Sequence, residues 1–316
     1  MNTRTTGTRI AAGAAVLAVL VAGTGSSRGA DGPSGGSGPS AQAAAPAAEQ
    51  AETCDTATSL RPAKNVNGDA IKKIKERGEL VVGVDLNSYN WGYRDPLDGE
   101  IKGFDIDLAK AIAKSILGDE TKIRLKAVPT AKRVDAVRDR EVDMVVRTMT
   151  ITCERLKEVA FSAPYFKVSQ SLVVPKGVEA KSVAEGMHGK RVCAAASSSS
   201  SVELASGKHA TAEVRIVENQ LDCLVLMQLG EIDATLADTV LAHAQVAQDP
   251  MVHIVGEQIV PAFMGIAMSK EAPDLVAWVN AVLGEYDSSN GWQAAYDKWL
   301  APSMNIEPGD AAKYHP

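Results

Sequence analysis

Four cysteines and two arginines set in apolar surroundings are the residues of this chain whose types carry chemistry by themselves. Cys54, Cys153, Cys193 and Cys223 show no C-x-x-C spacing and no adjacent histidine pattern. Zinc sites are marked by one or other of these patterns, so no metal is expected. In an oxidising compartment the four thiols form disulfides, and three pairings are open. Cys193 and Cys223 lie in one compact segment, and joining them closes a loop of about 30 residues, worth roughly 3–4 kcal/mol. Cys54 would then tie the N-terminal segment to Cys153. Arg147 interrupts an apolar strand pattern, and Arg133 begins a helical pattern after Pro129. A guanidinium at either place can meet a carboxylate. Gly32-Pro33-Ser34-Gly35-Gly36 has the form of a nucleophile elbow, but no strand precedes it and no helix follows. No catalytic residue is assigned.

The elements that must position these groups alternate. Residues 79–84 (ELVVGV) read as a buried strand, with turn signals at Gly92, Pro96 and Asp98-Gly99 and a hairpin returning through Ile101. Gly103-Phe104-Asp105 opens a helix with Asp105 as its expected cap and Leu108, Ile112 and Ile116 as its apolar stripe. Strands follow at 122–128 and 142–146, with a short helix at 131–140 between them. Past Pro164-Tyr165, strands are predicted at 172–174, 191–194, 214–217, 232–236, 253–255 and 264–268. Helices are predicted around 202–205, 221–229 and 239–248, with two more at 274–286 and 292–300. This alternation predicts mostly parallel sheets with helices on both faces, and enough of it for two α/β lobes.

Composition bounds the rest. The chain has 316 residues, 45% hydrophobic and 23% charged, with net charge -6. That excludes wholesale disorder, and the absence of basic stretches interleaved with aromatics argues against nucleic acid. Arg4 and Arg9 precede an uncharged run over 10–22, which reads as an export signal ending near residue 28. Thr24 stands where a lipid-bearing cysteine would be needed. The stretch that follows is rich in Gly, Ser, Pro and Ala and reads as a tether.

Residues 103–113 (GFDIDLAKAIA) resemble the signature of extracellular solute-binding proteins of the polar amino-acid class. The likeness continues through 79–85 (ELVVGVD), 143–155 (DMVVRTMTITCER), Phe161-Ser162-x-Pro164-Tyr165 and 230–238 (GEIDATLAD). It ends near the C-terminus with Gly291-Trp292 and 296–300 (YDKWL). It spans roughly 70–301 in the family's order and looks most like glutamate-type receptors of ABC importers. The resemblance implies a two-lobed, periplasmic-binding-protein-like α/β fold (type II) with two strand crossovers. Lobe 1 would be 70–171 with 263–301, lobe 2 would be 172–262, 29–69 the tether and N-terminal segment, and 302–316 a tail. It implies an exported monomer, peripheral to the membrane, that hands an amino acid to permease subunits without a cofactor.

A zwitterion removed from water needs a partner for each charge. A guanidinium fork with hydroxyls suits the α-carboxylate, and a carboxylate suits the ammonium. The family supplies these from positions that match Thr148, Thr150, Arg155 and Asp238. Trp91 matches an aromatic that packs on the ligand, with Tyr89 as a weaker candidate. Ser198 and Ser199 fall in a hydroxyl-bearing loop before a helix, with Ser197 where glycine is usual. Arg133 and Arg147 are then available for a second carboxylate, so the expected ligand is acidic, glutamate first, with glutamine or another polar amino acid as the alternative. A dehydratase of cyclic acids is the competing class. It needs a general acid at the ligand, and no histidine falls in these segments.

Overall fold

The computed structural model describes residues 54–304; the expected signal peptide, most of the tether and the end of the tail lie outside them. In chain order the strands are β1 (Leu80–Val84), β2 (Asn87–Ser88), β3 (Gly92–Arg94), β4 (Ile101–Lys102), β5 (Ile123–Ala127), β6 (Met144–Val145) and β7 (Ala160–Phe161). There follow β8 (Phe166–Pro175), β9 (Arg191–Ala195), β10 (Glu213–Val217), β11 (Ala234–Asp238), β12 (Val252–Met264) and β13 (Ala267–Met268). They build two five-stranded sheets, ordered β5-β1-β6-β13-β7 and β10-β9-β11-β8-β12, and a small sheet β2-β3-β4.

Every residue of β1 is buried, which suits its central place between β5 and β6. The helix Phe104–Leu117 covers one face of this sheet with Leu108, Ile112 and Ile116, together with Pro273–Ser288 and the rings of Trp292 and Tyr296. Val81, Val137, Val142 and Phe161 form a second cluster. The other sheet likewise divides its apolar residues between two clusters, one around Leu172, Val192 and Leu236 and one around Val173, Leu224 and Ile232. Each fully buried aliphatic contributes about 1.5–3 kcal/mol. Truncating one, such as Ile112→Ala, costs about 2–5 kcal/mol.

The fold is the two-lobed α/β arrangement expected. β8 and β12 are its two crossover strands: long and antiparallel, paired from Met264↔Phe166 at one end to Val252↔Pro175 at the other. Phe166 belongs to the core of the first lobe, Leu172 and Val174 to that of the second. The register of β12 slips between Val255 and Ile259 and again before Ala262. Both sheets are mixed rather than mostly parallel. β13 runs antiparallel to β6 and β7, and β8 antiparallel to β11 and β12. Alternation of periodicity detects elements but carries no information on strand direction once a crossover strand returns.

Other local expectations shift. The cap of helix Phe104–Leu117 is Gly103, with φ 133° and no room for a Cβ, which would stand 2.3 Å from the Trp91 carbonyl oxygen. Asp105 lies inside the first turn and is buried. Residues 54–69, the expected N-terminal segment beyond the tether, are tied to the first lobe. Ser59 Oγ donates to the Phe161 carbonyl at 2.7 Å, Asn280 Nδ2 to that of Leu60 at 2.7 Å, and Ala63 N to that of Ala277 at 3.0 Å. Disulfides join Cys54 to Cys153 and Cys193 to Cys223. No helix among the described residues is long and apolar enough to cross a membrane.

Candidate functional site

β6 ends at Val145, and Arg147 and Thr148 just beyond it line the cleft with Ser198, Ser199 and Asp238 of the opposite lobe. Arg147 is 3% exposed; its Nη2 pairs with Asp85 Oδ2 at 3.1 Å and its Nη1 donates to Thr130 Oγ1 at 2.9 Å. Asp85 is itself fixed at the end of β1 by the N–H groups of Leu86 and Asn87 and the hydroxyl of Ser88. Thr148 has φ 41°, a conformation that costs a β-branched residue about 1–3 kcal/mol. Its N–H donates to Asp105 Oδ2 at 2.9 Å, which holds it there. The second oxygen of Asp105 accepts from Tyr165 Oη at 2.9 Å. Burial raises the Asp105 carboxyl to about 7 despite these donors. Thr148 Oγ1 and Arg147 Nε are buried with no hydrogen-bond partner among the described residues. Both groups therefore have an unused hydrogen-bonding position in the cleft wall.

Thr150 and Arg155 follow from the same loop. Thr152 caps the helix Cys153–Glu158, accepting from Arg155 N at 3.3 Å. The Arg155 guanidinium donates to the carbonyls of Thr150 and, across the cleft, Ser197, the latter at 2.8 Å. Burial pulls its pKa below the usual value, yet a guanidinium stays charged. Arg133, buried, donates to the carbonyls of Thr130 at 3.0 Å and Arg147 at 3.3 Å. Burial first, then the neighbouring Arg155 and Arg147, pull its pKa well down.

The second lobe contributes the end of β11 and the loop after β9. Asp238 stands at the cap position of helix Thr239–Gln248 but makes no side-chain cap there. Its carboxylate instead accepts from Ser199 Oγ and from Thr150 Oγ1 of the first lobe, both at 2.9 Å. Burial pushes its pKa up, against the pull of those hydroxyls and of Arg155 and Arg133. Ser197 adopts φ 55°, the left-handed geometry usual for glycine, so the loop keeps its shape with serine in place. Ser198 spends its hydroxyl capping helix Ser199–Ala205, accepting from Ser201 N at 3.0 Å.

Thr148, Thr150, Arg155, Asp238, Arg133, Arg147, Ser198 and Ser199 thus converge. Trp91 does not: it is 1% exposed in the first lobe's core, its ring on Phe166 and Phe104 at 4.9 and 5.2 Å. A large aromatic next to a glycine-rich loop reads equally well as ligand cover or as core, and here it is core. Asp85, Asp105 and Thr130 were missed; their signal was only a carboxylate or hydroxyl at a strand or helix end. The cleft between Arg147, Thr148, Ser199 and Asp238 has a volume of about 20 Å³, roughly that of one water. Beyond it, a chamber of about 470 Å³ is shared by Arg133, Arg155, Gln170 and the 197–199 loop. An amino acid fits between Asp238 and Thr150 only if the lobes part.

Residues 80–302 match the family model of bacterial extracellular solute-binding proteins, family 3. The chain is 35% identical over 238 residues to the ABC transporter glutamine-binding protein GlnH of Bacillus subtilis, covering 75% of this chain and 87% of that one. It is 38% identical over 205 residues to a glutamine-binding protein of Geobacillus stearothermophilus, covering 64% and 77%. Among solved structures, a solute receptor for L-cysteine of Neisseria gonorrhoeae aligns with TM-score 0.72 at 25% identity, over 78% of this chain and 99% of that one.

Proposed function

We infer that this chain, which belongs to the bacterial extracellular solute-binding proteins of family 3, is the amino-acid receptor of an ABC importer and that its ligand is a polar amino acid, glutamine first. The observation that carries the reading is the meeting at Thr150. Arg155 reaches its carbonyl from one side, and Asp238 of the opposite lobe reaches its hydroxyl from the other. A cation and an anion on facing lobes, meeting either side of a single residue, are what an α-carboxylate and an α-ammonium require. When the lobes part along β8 and β12, the ammonium takes the place of the Thr150 and Ser199 hydroxyls on Asp238. The α-carboxylate takes the guanidinium of Arg155. Closure then buries both pairs and presents one shape to the permease.

The side chain is read from charge. Arg147 is already neutralised by Asp85, so it offers hydrogen bonds rather than a free charge to a ligand. An uncharged amide suits that wall, with the open valences of Thr148 Oγ1 and Arg147 Nε as its partners. The two glutamine-binding relatives support the same choice. Glutamate is the second reading. It is favoured by Arg133, whose guanidinium is held by backbone carbonyls and can still meet a carboxylate. Competition calorimetry with glutamine, glutamate, aspartate, arginine and histidine decides between them: glutamate tighter than glutamine overturns our order, and no binding of any amino acid overturns the receptor.

Binding explains the site better than turnover does. Asp105, whose carboxyl burial raises to about 7, is 1% exposed and committed to Thr148 and Tyr165. A general acid must reach the leaving group. Production of any new species from a cyclic prephenate-like acid would reverse this conclusion. The family's extracellular station, and disulfides that need an oxidising compartment, support a place outside the cytoplasmic membrane.

A further inference from the structure

We propose that the Cys54–Cys153 disulfide is the positioning cross-link for Arg155: it ties the helix that carries the guanidinium to the first lobe, and breaking it weakens the hold on a ligand's α-carboxylate. This rests on the reading of Arg155 as the carboxylate partner.

Helix Cys153–Glu158 has 6 residues, none of them buried. It lacks the apolar stripe by which a helix is ordinarily held on a core. Leu156 is only partly buried against Val159 and its neighbours. Lys270 Nζ donates to the Lys157 carbonyl at 2.6 Å at the far end. The first turn, which carries Arg155, is held by the Thr152 cap and by the disulfide at Cys153.

The other half of the cross-link is anchored in the core. Asp55 folds the turn after Cys54 by accepting from the N–H groups of Ala57 and Thr58. Ser59 then binds Phe161 and receives a hydrogen bond from Asn280 Nδ2 at 3.0 Å. Asn280 is 3% exposed in helix Pro273–Ser288, which packs on the first lobe's core. The path from the core to the guanidinium therefore runs through Asn280, Ser59, Cys54 and Cys153. The Arg155 guanidinium also meets the Ser197 carbonyl of the opposite lobe, so the helix that the cross-link steadies is one that closure engages.

The two disulfides differ in access. Cys54 is exposed and Cys153 half-buried, whereas Cys193 and Cys223 are both 0% exposed. A mild thiol therefore opens Cys54–Cys153 first. Dithiothreitol supplies the two electrons and two protons that turn the bond into two thiols, and is itself oxidised to its cyclic disulfide.

The test uses the full chain, oxidised, mildly reduced, and as the Cys54→Ser/Cys153→Ser double variant. Intact mass and peptide mapping verify that Cys193–Cys223 stays closed. Calorimetry then compares L-glutamine and L-glutamate with their α-carboxamides, and a thermal scan verifies the fold. The expected result is a Kd for the free amino acid weakened about tenfold or more, with that for the α-carboxamide moved less than about twofold. Equal weakening of both, no change in either, or loss of the fold in both altered forms overturns the positioning role. If the oxidised protein fails to discriminate acid from α-carboxamide, the reading of Arg155 falls and this inference with it.

Discussion

Thr150 Oγ1 donates to Asp238 Oδ2 at 2.9 Å, and this bond joins the two lobes at the point where the ligand's ammonium is expected. The hydroxyl occupies one of the carboxylate's acceptor positions, and Ser199 Oγ another, also at 2.9 Å. Asp238 is thus kept hydrogen-bonded in a site where an unpaired carboxylate would be costly. On the proposed reading, an arriving ammonium exchanges these neutral donors for a cationic one and adds ion-pair attraction to bonds that the carboxylate's charge already strengthens.

Asp238→Asn separates binding from folding. The amide oxygen keeps one of the two hydroxyl donors, Thr150 or Ser199; the amide nitrogen faces the other, which must turn to accept from it, and the burial cost of the charge disappears. We expect the melting temperature to hold or rise. Amino-acid affinity should fall by roughly 2–5 kcal/mol, because the ammonium loses the anionic partner proposed for it. Retained affinity by calorimetry would move the ammonium site elsewhere.

Arg155→Ala removes the fork proposed for the α-carboxylate. The helix it sits on contributes no buried residue, so the fold should survive with a small change in melting temperature. Affinity should drop by about 100-fold or more, the loss typical when one partner of a buried charged pair is truncated. Unchanged calorimetric affinity would exclude Arg155 from the site.

Asp85→Asn tests the charge of the side-chain wall. It leaves Arg147, 3% exposed, without its anion. Breaking such a pair destabilises by about 3–5 kcal/mol, and a glutamate carboxylate would restore the balance. We expect lower stability in the free protein and a glutamate-to-glutamine preference raised by about tenfold. An unchanged preference would show that Arg147 does not face the ligand's side chain.

Asp105 imposes a pH dependence whose sign follows from its raised pKa. In the unfolded chain the carboxyl titrates near its model value of 3.8, and in the fold near about 7. Between those values the folded state holds a proton the unfolded state has lost, so stability falls as pH rises from about 4 to about 7. His243 acts in the opposite sense over most of the same window: burial lowers it from 6.5 to about 4, so its contribution to stability rises with pH between those values. Comparing wild type with Asp105→Asn cancels the histidine. The stability difference between wild type and the variant should shift against wild type over that window, by order of 1 kcal/mol per pH unit. A flat difference in denaturant titrations would place Asp105 in the ionised form throughout.

The alternation of strand and helix and the apolar stripe of Leu108, Ile112 and Ile116 were legible in the chain because they are local: each is a spacing along a single element. The Thr148–Thr150–Arg155 element was legible only through the family resemblance. The two-lobed fold followed from the order of such segments. Strand direction was not legible, since a residue's periodicity is the same whichever way its neighbour runs. Nor was the fate of Trp91, because a ring beside Gly92 packs on whatever the folded chain brings to it, and Phe104 and Phe166 arrive from elsewhere in sequence. Arg147 is the sharpest case. By sequence alone it is a spare cation that argues for an acidic ligand. The partner that neutralises it, Asp85, lies at the end of a neighbouring strand 62 residues earlier by numbering, where only the parallel pairing of β1 with β6 brings the two together. The composition of the chain decides which charges exist. Tertiary structure decides which of them are already spent, because an ion pair depends on the distance between groups and not on their separation along the chain.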